Sequence, residues 1–119
     1  MIYCAGAIAR AYEGAGGKVA YAGKPYQPIY DLTFATLEKL RPGSSDRARL
    51  LAIGDGVATD IAGAATVGVR SVFVASGVHV QGGLDAAALD ALFPAGGPRP
   101  IAAMTKLANR RRVIGHGAP

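Results

Sequence analysis

The chain has 119 residues, 50% of them apolar, a formal net charge of +5 and one cysteine. That length suits one small domain with a core of its own. A single thiol excludes an internal disulfide and a paired-cysteine metal site. The apolar runs are too short to span a bilayer, and Arg10 and Glu13 interrupt the N-terminal one, so no membrane partner is expected. No basic region precedes an uncharged stretch in the manner of a secretory signal, and the expected location is cytoplasmic. Much of the excess charge gathers in Arg110, Arg111 and Arg112. A Lys/Arg run in a Gly- and Pro-flanked tail reads as a solvated terminus. No aromatic residue interleaves with these arginines to stack a base, so nucleic acid is not an expected partner.

In chain order, residues 4–13 place Cys4, Ile8, Ala11 and Tyr12 at helical spacing before Gly14, Gly16 and Gly17 stop the pattern. On that face Cys4 is expected to pack as a small hydrophobe. Residues 18–22 alternate at Val19 and Tyr21 and suit a short strand, which Gly23-Lys24-Pro25 breaks. Residues 28–40 predict a helix, with Pro28 in its first turn and an apolar stripe of Ile29, Leu32, Leu37 and Leu40. Tyr26 and Tyr30, at the start of that helix, are expected to pack rather than to stack on a ligand. A loop follows at residues 41–45. Residues 50–53 form a continuous apolar run bounded by Gly54, the pattern of a fully buried parallel strand. Thr59 or Asp60 is placed to cap a helix that ends near Gly68. Residues 71–75 read as a second strand, 84–92 as a short helix and 100–103 as a last extended segment. Strands alternating with helices at this spacing predict an α/β fold, a Rossmann-like parallel sheet with flanking helices.

In such sheets ligands sit beyond the carboxyl ends of the strands. Asp55 lies at such an end, and Lys24 also follows a candidate strand. Gly54 and Gly56 flank Asp55 with little bulk and leave room for a ligand to approach. A hard cation such as Mg2+ takes oxygen ligands, commonly one or two protein carboxylates with phosphate and water. Asp55 suits a direct ligand, Asp60 a weaker or indirect one, and Lys24 a point charge for phosphate or an acidic nucleophile. Each has a plainer reading: Asp55 as a turn residue, Asp60 as a helix cap, Lys24 as a surface lysine. His79, after Ser76-Gly77-Val78, is read as a structural hydrogen-bonding residue that lies near the same rim.

Gly23-Lys24-Pro25 followed by a helix, then an apolar strand into Gly54-Asp55-Gly56-Val57-Ala58-Thr59-Asp60-Ile61, then a small-residue helix, Gly68 and a strand, resembles the haloacid dehalogenase-like hydrolase superfamily. The resemblance is to its capped phosphatases, subfamily IIA, which act on nitrophenyl-, nucleotide- and pyridoxal-phosphates. It implies that Lys24 holds the nucleophile and the substrate phosphate, that Asp55 is a Mg2+ ligand, and that Asp60 is the second acid of the same motif. It also implies a small phosphorylated metabolite as substrate and an aspartyl-phosphate intermediate.

The superfamily's nucleophile stands in an Asp-x-Asp motif on its first core strand, and these residues contain no Asp-x-Asp. Residues 1–108 therefore resemble the C-terminal part of such a core, with 1–16 a return helix from the cap and 109–119 a flexible basic tail. Two expectations follow. The chain alone lacks phosphatase activity, and the strand ending at Asp55 has an unpaired apolar edge through which copies could associate. The alternative function is a non-catalytic α/β domain that binds phosphate or metal weakly, or binds a partner through that edge.

Overall fold

A three-stranded parallel sheet carries the fold, in the order β1 (Leu51–Gly54), β2 (Arg70–Val74), β3 (Ala102–Met104). The computed structural model describes residues 4–75 and 84–107. Before the sheet come helices α1 (Ala5–Gly14) and α2 (Gln27–Leu40). Between β1 and β2 lie a wide turn (Val57–Ile61) and the short α3 (Ala62–Thr66), and α4 (Ala86–Leu92) lies between β2 and β3. The expected α/β architecture is the one observed. The basic tail and His79 lie outside the described residues.

The register pairs Ile53 with Val72 and Val72 with Ala102, and Gly54 with Phe73 and Phe73 with Ala103. Paired residues in adjacent strands share a face. Phe73 and Ala103 thus face one way, and on that side the core forms around Ile61, Phe73 and Phe93. Phe73 and Phe93 meet edge to face with centroids 5.2 Å apart, the arrangement that aromatic quadrupoles favour. β2 is buried at four of its five residues because it is the central strand. β1 is not fully buried as its apolar run implies: Leu51 and Ile53 are about half exposed. The reason is topological. β1 pairs with β2 alone among the described residues, so one edge and much of one face stay open.

Several local expectations are corrected. Residues 18–22 form no strand, since nothing described pairs with them. Cys4 is exposed and only precedes α1. In α2 the inward line runs through Ile29, Tyr30, Phe34 and Leu37, while Leu32 and Leu40 are exposed. The helix covers too little of the sheet to bury a full stripe. Two of these inward residues have identified contacts: Arg47 lies 4.9 Å over the Phe34 ring, and Tyr30 packs against Gly63 of α3. Arg47 belongs to a short turn capped by Asp46, and Arg70 Nη2 of β2 donates to Ala48 O of that turn at 2.7 Å. Neither Thr59 nor Asp60 caps α3, whose start has no side-chain cap. Asp85 caps α4 through Ala88 N–H at 2.8 Å, and Asp90 pairs with Arg99.

Phe73 fills the centre of this small core. Truncation to Ala is expected to cost about 3–5 kcal/mol, enough to consume much of a small domain's stability. Urea unfolding of Phe73→Ala checks this, and a loss below about 1 kcal/mol would contradict the core assignment.

Candidate active site

β1 delivers the chain at Gly54 to the carboxyl end of the sheet, where Asp55 is exposed. The chain then turns sharply. Asp60 N–H and Ile61 N–H both donate to Gly56 O, at 2.8 and 3.1 Å, so the turn is one residue wider than an α-helical one. Ile61 is anchored in the core below it. This width swings the Asp60 side chain back over the end of β1. Its Oδ2 accepts from Gly56 N–H at 2.9 Å, and its Oδ1 accepts from Lys24 Nζ at 2.5 Å. The close approach requires Gly54. A Cβ there would lie 2.3 Å from Asp60 Cγ. The space expected to admit a ligand at this glycine is thus filled by the protein's own carboxylate.

Lys24 arrives from the loop before α2, where Tyr26 N–H closes a turn onto Gly23 O at 2.9 Å and the Lys24–Pro25 peptide is cis. The loop is held against α3 by packing of small on large. A Cβ on Gly63 would lie 2.0 Å from the Tyr30 hydroxyl and 3.0 Å from Pro25 Cα. Burial raises the Tyr30 hydroxyl pKa, with the Lys24 charge opposing it. Tyr30 and Gly63 are parts of the site's frame that the motif does not announce. The only sequence signal is the run of small residues that opens the helix after Asp60, which lets another element come close.

The two ends of the ion pair differ in exposure: the Asp60 side chain is 14% accessible, that of Lys24 53%. For Asp60, burial works to raise the carboxyl pKa. The hydrogen bonds from Lys24 and Gly56 N–H and the lysine charge outweigh it and hold the pKa below its ordinary value. The Lys24 pKa is raised, first by the hydrogen bond to Asp60, against a smaller opposing effect of burial. Asp60 is therefore a fixed carboxylate with both oxygens engaged. Lys24 is a fixed ammonium with one of its three donors used and its outer side in water. Asp55 makes no ion pair among the described residues.

Lys24, Asp55 and Asp60 thus come to one end of the sheet, with Lys24 and Asp60 in contact. Among the described residues no cluster of three or more His, Cys, Asp or Glu could hold a metal. The residues do fit part of a Mg2+ shell, because such a shell often takes only one or two carboxylates, the rest being water and phosphate. Asp55 is the carboxylate with its oxygens uncommitted, while Asp60 would have to release Lys24 or Gly56 to contribute. An open depression of about 650 Å³ adjoins Lys24 and Thr59.

A parallel α/β sheet with a lysine–aspartate pair at the carboxyl end of β1 defines the class: an α/β domain with opposed charges at the end of the sheet where such folds bind ligands. Comparison with known proteins makes the class specific. Residues 21–95 match the HAD-hydrolase-like family model. A haloacid dehalogenase-like hydrolase from Brucella suis 1330 is 42% identical, with a TM-score of 0.69, over 89% of this chain and 38% of its own. The chain belongs to the haloacid dehalogenase-like hydrolase family. The fold is shared with a 4-nitrophenylphosphatase from Thermotoga maritima (24% identity, TM-score 0.56, 86% of this chain and 34% of that one). It is shared too with a thermostable NPPase from Geobacillus stearothermophilus (20%, 0.58, 84% and 33%). No curated protein matches in sequence. The 119 residues span little more than a third of the length of these solved relatives. No helix among the described residues is long and apolar enough to cross a membrane.

Two predictions follow from the pair. Gly54→Ala is expected to push Asp60 off Lys24; solution NMR of Lys24 Nζ would then show the ammonium exchanging as a free surface lysine, and a protected ammonium would refute the packing. The second concerns pH. The Asp60 pKa is lowered on folding, so its contribution is present above the unfolded carboxylate value, about pH 4, and is lost as pH falls through the folded value. The Lys24 pKa is raised, so its contribution is present below about pH 10.5 and is lost as pH rises through the folded value. Subtracting the stability of Lys24→Met from that of the native chain at each pH should give a plateau that decays at both extremes. With Lys24 half exposed the plateau is expected below about 1 kcal/mol. A difference independent of pH would exclude the charge as its cause.

Proposed function

We propose that the chain carries part of a Mg2+-dependent phosphohydrolase site that acts on a small phosphate monoester through an aspartyl-phosphate. The reading is carried by one observation: Lys24 Nζ is held 2.5 Å from Asp60 Oδ1 at the strand end where Asp55 is exposed. A phosphoryl group needs fixed positive charge in line with its oxygens, and positioning and charge neutralisation supply most of the catalysis. In this reading Lys24 turns its free donors to a phosphate oxygen and to the attacking carboxylate. Asp60 does no chemistry itself; it fixes Lys24 in place and keeps it protonated. Asp55 holds the cation, and bound Mg2+ supplies Lewis-acid charge against the phosphate oxygens.

In this reading the nucleophile is a carboxylate outside these residues, since the sequence has no Asp-x-Asp, Asp31 accepts from Gln27 within α2, Asp46 and Asp85 cap a short turn and α4, and Asp90 pairs with Arg99. Acid–base duty at the leaving group falls outside them as well. The chain alone is thus half of a two-part site. The same reading sets it in the cytoplasm, a reducing compartment that suits one free thiol. A second reading, a non-catalytic domain that pairs with another copy of itself, is favoured by the free β1 edge with Leu51 and Ile53 half exposed. An edge strand pairs with its own copy about a two-fold axis without further adaptation.

The purified chain, shown to be folded, is expected not to hydrolyse p-nitrophenyl phosphate with or without Mg2+. Robust Mg2+-dependent turnover that Asp55→Asn abolishes would place the nucleophile within these residues and overturn the two-part reading. Calorimetric titration with Mg2+ should show weak binding that Asp55→Asn reduces by about tenfold or more; equal affinity in both would remove Asp55 from the metal. For the second reading, light scattering should show dimers that Ile53→Lys returns to monomers.

A further inference from the structure

The depression beside Lys24 has a second wall that the phosphate site does not use. It is formed by α1 and the loop that follows, and Arg10, Tyr21 and Tyr26 line the same depression as Lys24, Ala58 and Thr59. Tyr21 and Tyr26 stack face to face, with centroids 4.5 Å apart and planes 12° from parallel, so each ring keeps one outer face free of the other. The Tyr21 hydroxyl donates to Glu13 Oε2 at 2.7 Å, which commits the acid of α1 closest in sequence to Arg10. Arg10 makes no ion pair among the described residues. One cavity of small-molecule size is therefore lined by a lysine balanced by Asp60, an arginine with no ion pair among the described residues, and a stacked tyrosine pair.

We infer that this cavity selects phosphate monoesters whose leaving group is a ring bearing a second anion, a carboxylate or another phosphate, with Arg10 as the residue that reads it. The inference rests on the phosphate site proposed above. A ligand with its phosphoryl group at Lys24 has the depression that Lys24 lines beside it for its leaving group. A ligand ring can extend the tyrosine stack by packing on the outer face of one tyrosine. The guanidinium presents a planar fork of donors that suits carboxylate and phosphate alike. Arg10 is a specificity residue and takes no part in bond breaking. Because it is exposed, its effect is that of a surface ion pair, a preference of about fivefold rather than hundreds.

The test uses two phosphonates, whose carbon–phosphorus bond does not hydrolyse: benzylphosphonate and para-carboxybenzylphosphonate. Each is titrated calorimetrically into the full chain with Mg2+ present. The native chain should bind the carboxylated ligand about fivefold more tightly. Arg10→Gln should abolish that ratio and leave benzylphosphonate binding unchanged, and Arg10→Lys should keep part of the preference. Lys24→Met should weaken both ligands equally and preserve the ratio. A native ratio of one, or a ratio that survives Arg10→Gln, overturns the inference and spares the phosphate reading. Equal binding by Lys24→Met and the native chain, or no binding of either ligand, overturns the phosphate reading and this inference with it. Circular dichroism of each variant confirms that the fold is retained.

Discussion

The Asp60 carboxylate lies directly over the backbone of Gly54, and much of the local geometry follows from that contact. It holds because the turn after β1 is one residue wider than an α-helical turn, which brings position 60 back over the strand end. It also needs a residue without a side chain beneath it. Once there, the carboxylate accepts from Gly56 N–H on one oxygen and from Lys24 on the other. One contact therefore orders the turn, starts α3 with Ile61 in the core, and pins a loop thirty-six residues earlier in the chain.

Energetically the Lys24–Asp60 pair is a positioning device. Its lysine is half exposed, so solvent screens it and its contribution to stability is small. Stability comes from the edge-to-face phenylalanines with Ile61 under the central strand. This separation lets the rim carry opposed charges and an exposed Asp55 without threatening the core. Packing supports it from outside: the Tyr30 ring against Gly63 sets how closely the Lys24 loop approaches α3.

Lys24 gives one donor to Asp60 and keeps two, and Asp55 makes no ion pair among the described residues. The open edge of β1 lies beside these charges: among the described residues, the strand that delivers Asp55 has hydrogen-bonding capacity and apolar surface unused on one side. Both features belong to the same strand.

Much of the fold was legible in the sequence because it rests on local signals. Pro28 opens α2, Gly68 in the left-handed region lets the chain turn after α3, and β-branched and aromatic residues mark β2. Lys24, Asp55 and Asp60 were legible as a set through the motif they complete. What the sequence could not show is who touches whom. Its apolar run at β1 reads as buried, yet burial depends on a second neighbour, which local pattern does not encode. Val19 and Tyr21 alternate as a strand does, but a strand exists only where another pairs with it. Asp60 reads as a helix cap, and only the wide turn shows its carboxylate facing back to Gly56 and Lys24. Period, turn chemistry and motif spacing are properties of neighbours along the chain, and the sequence determined those. The lysine–aspartate contact, the Tyr30–Gly63 contact and the Arg10 wall join residues far apart in sequence, and only the tertiary structure decided them.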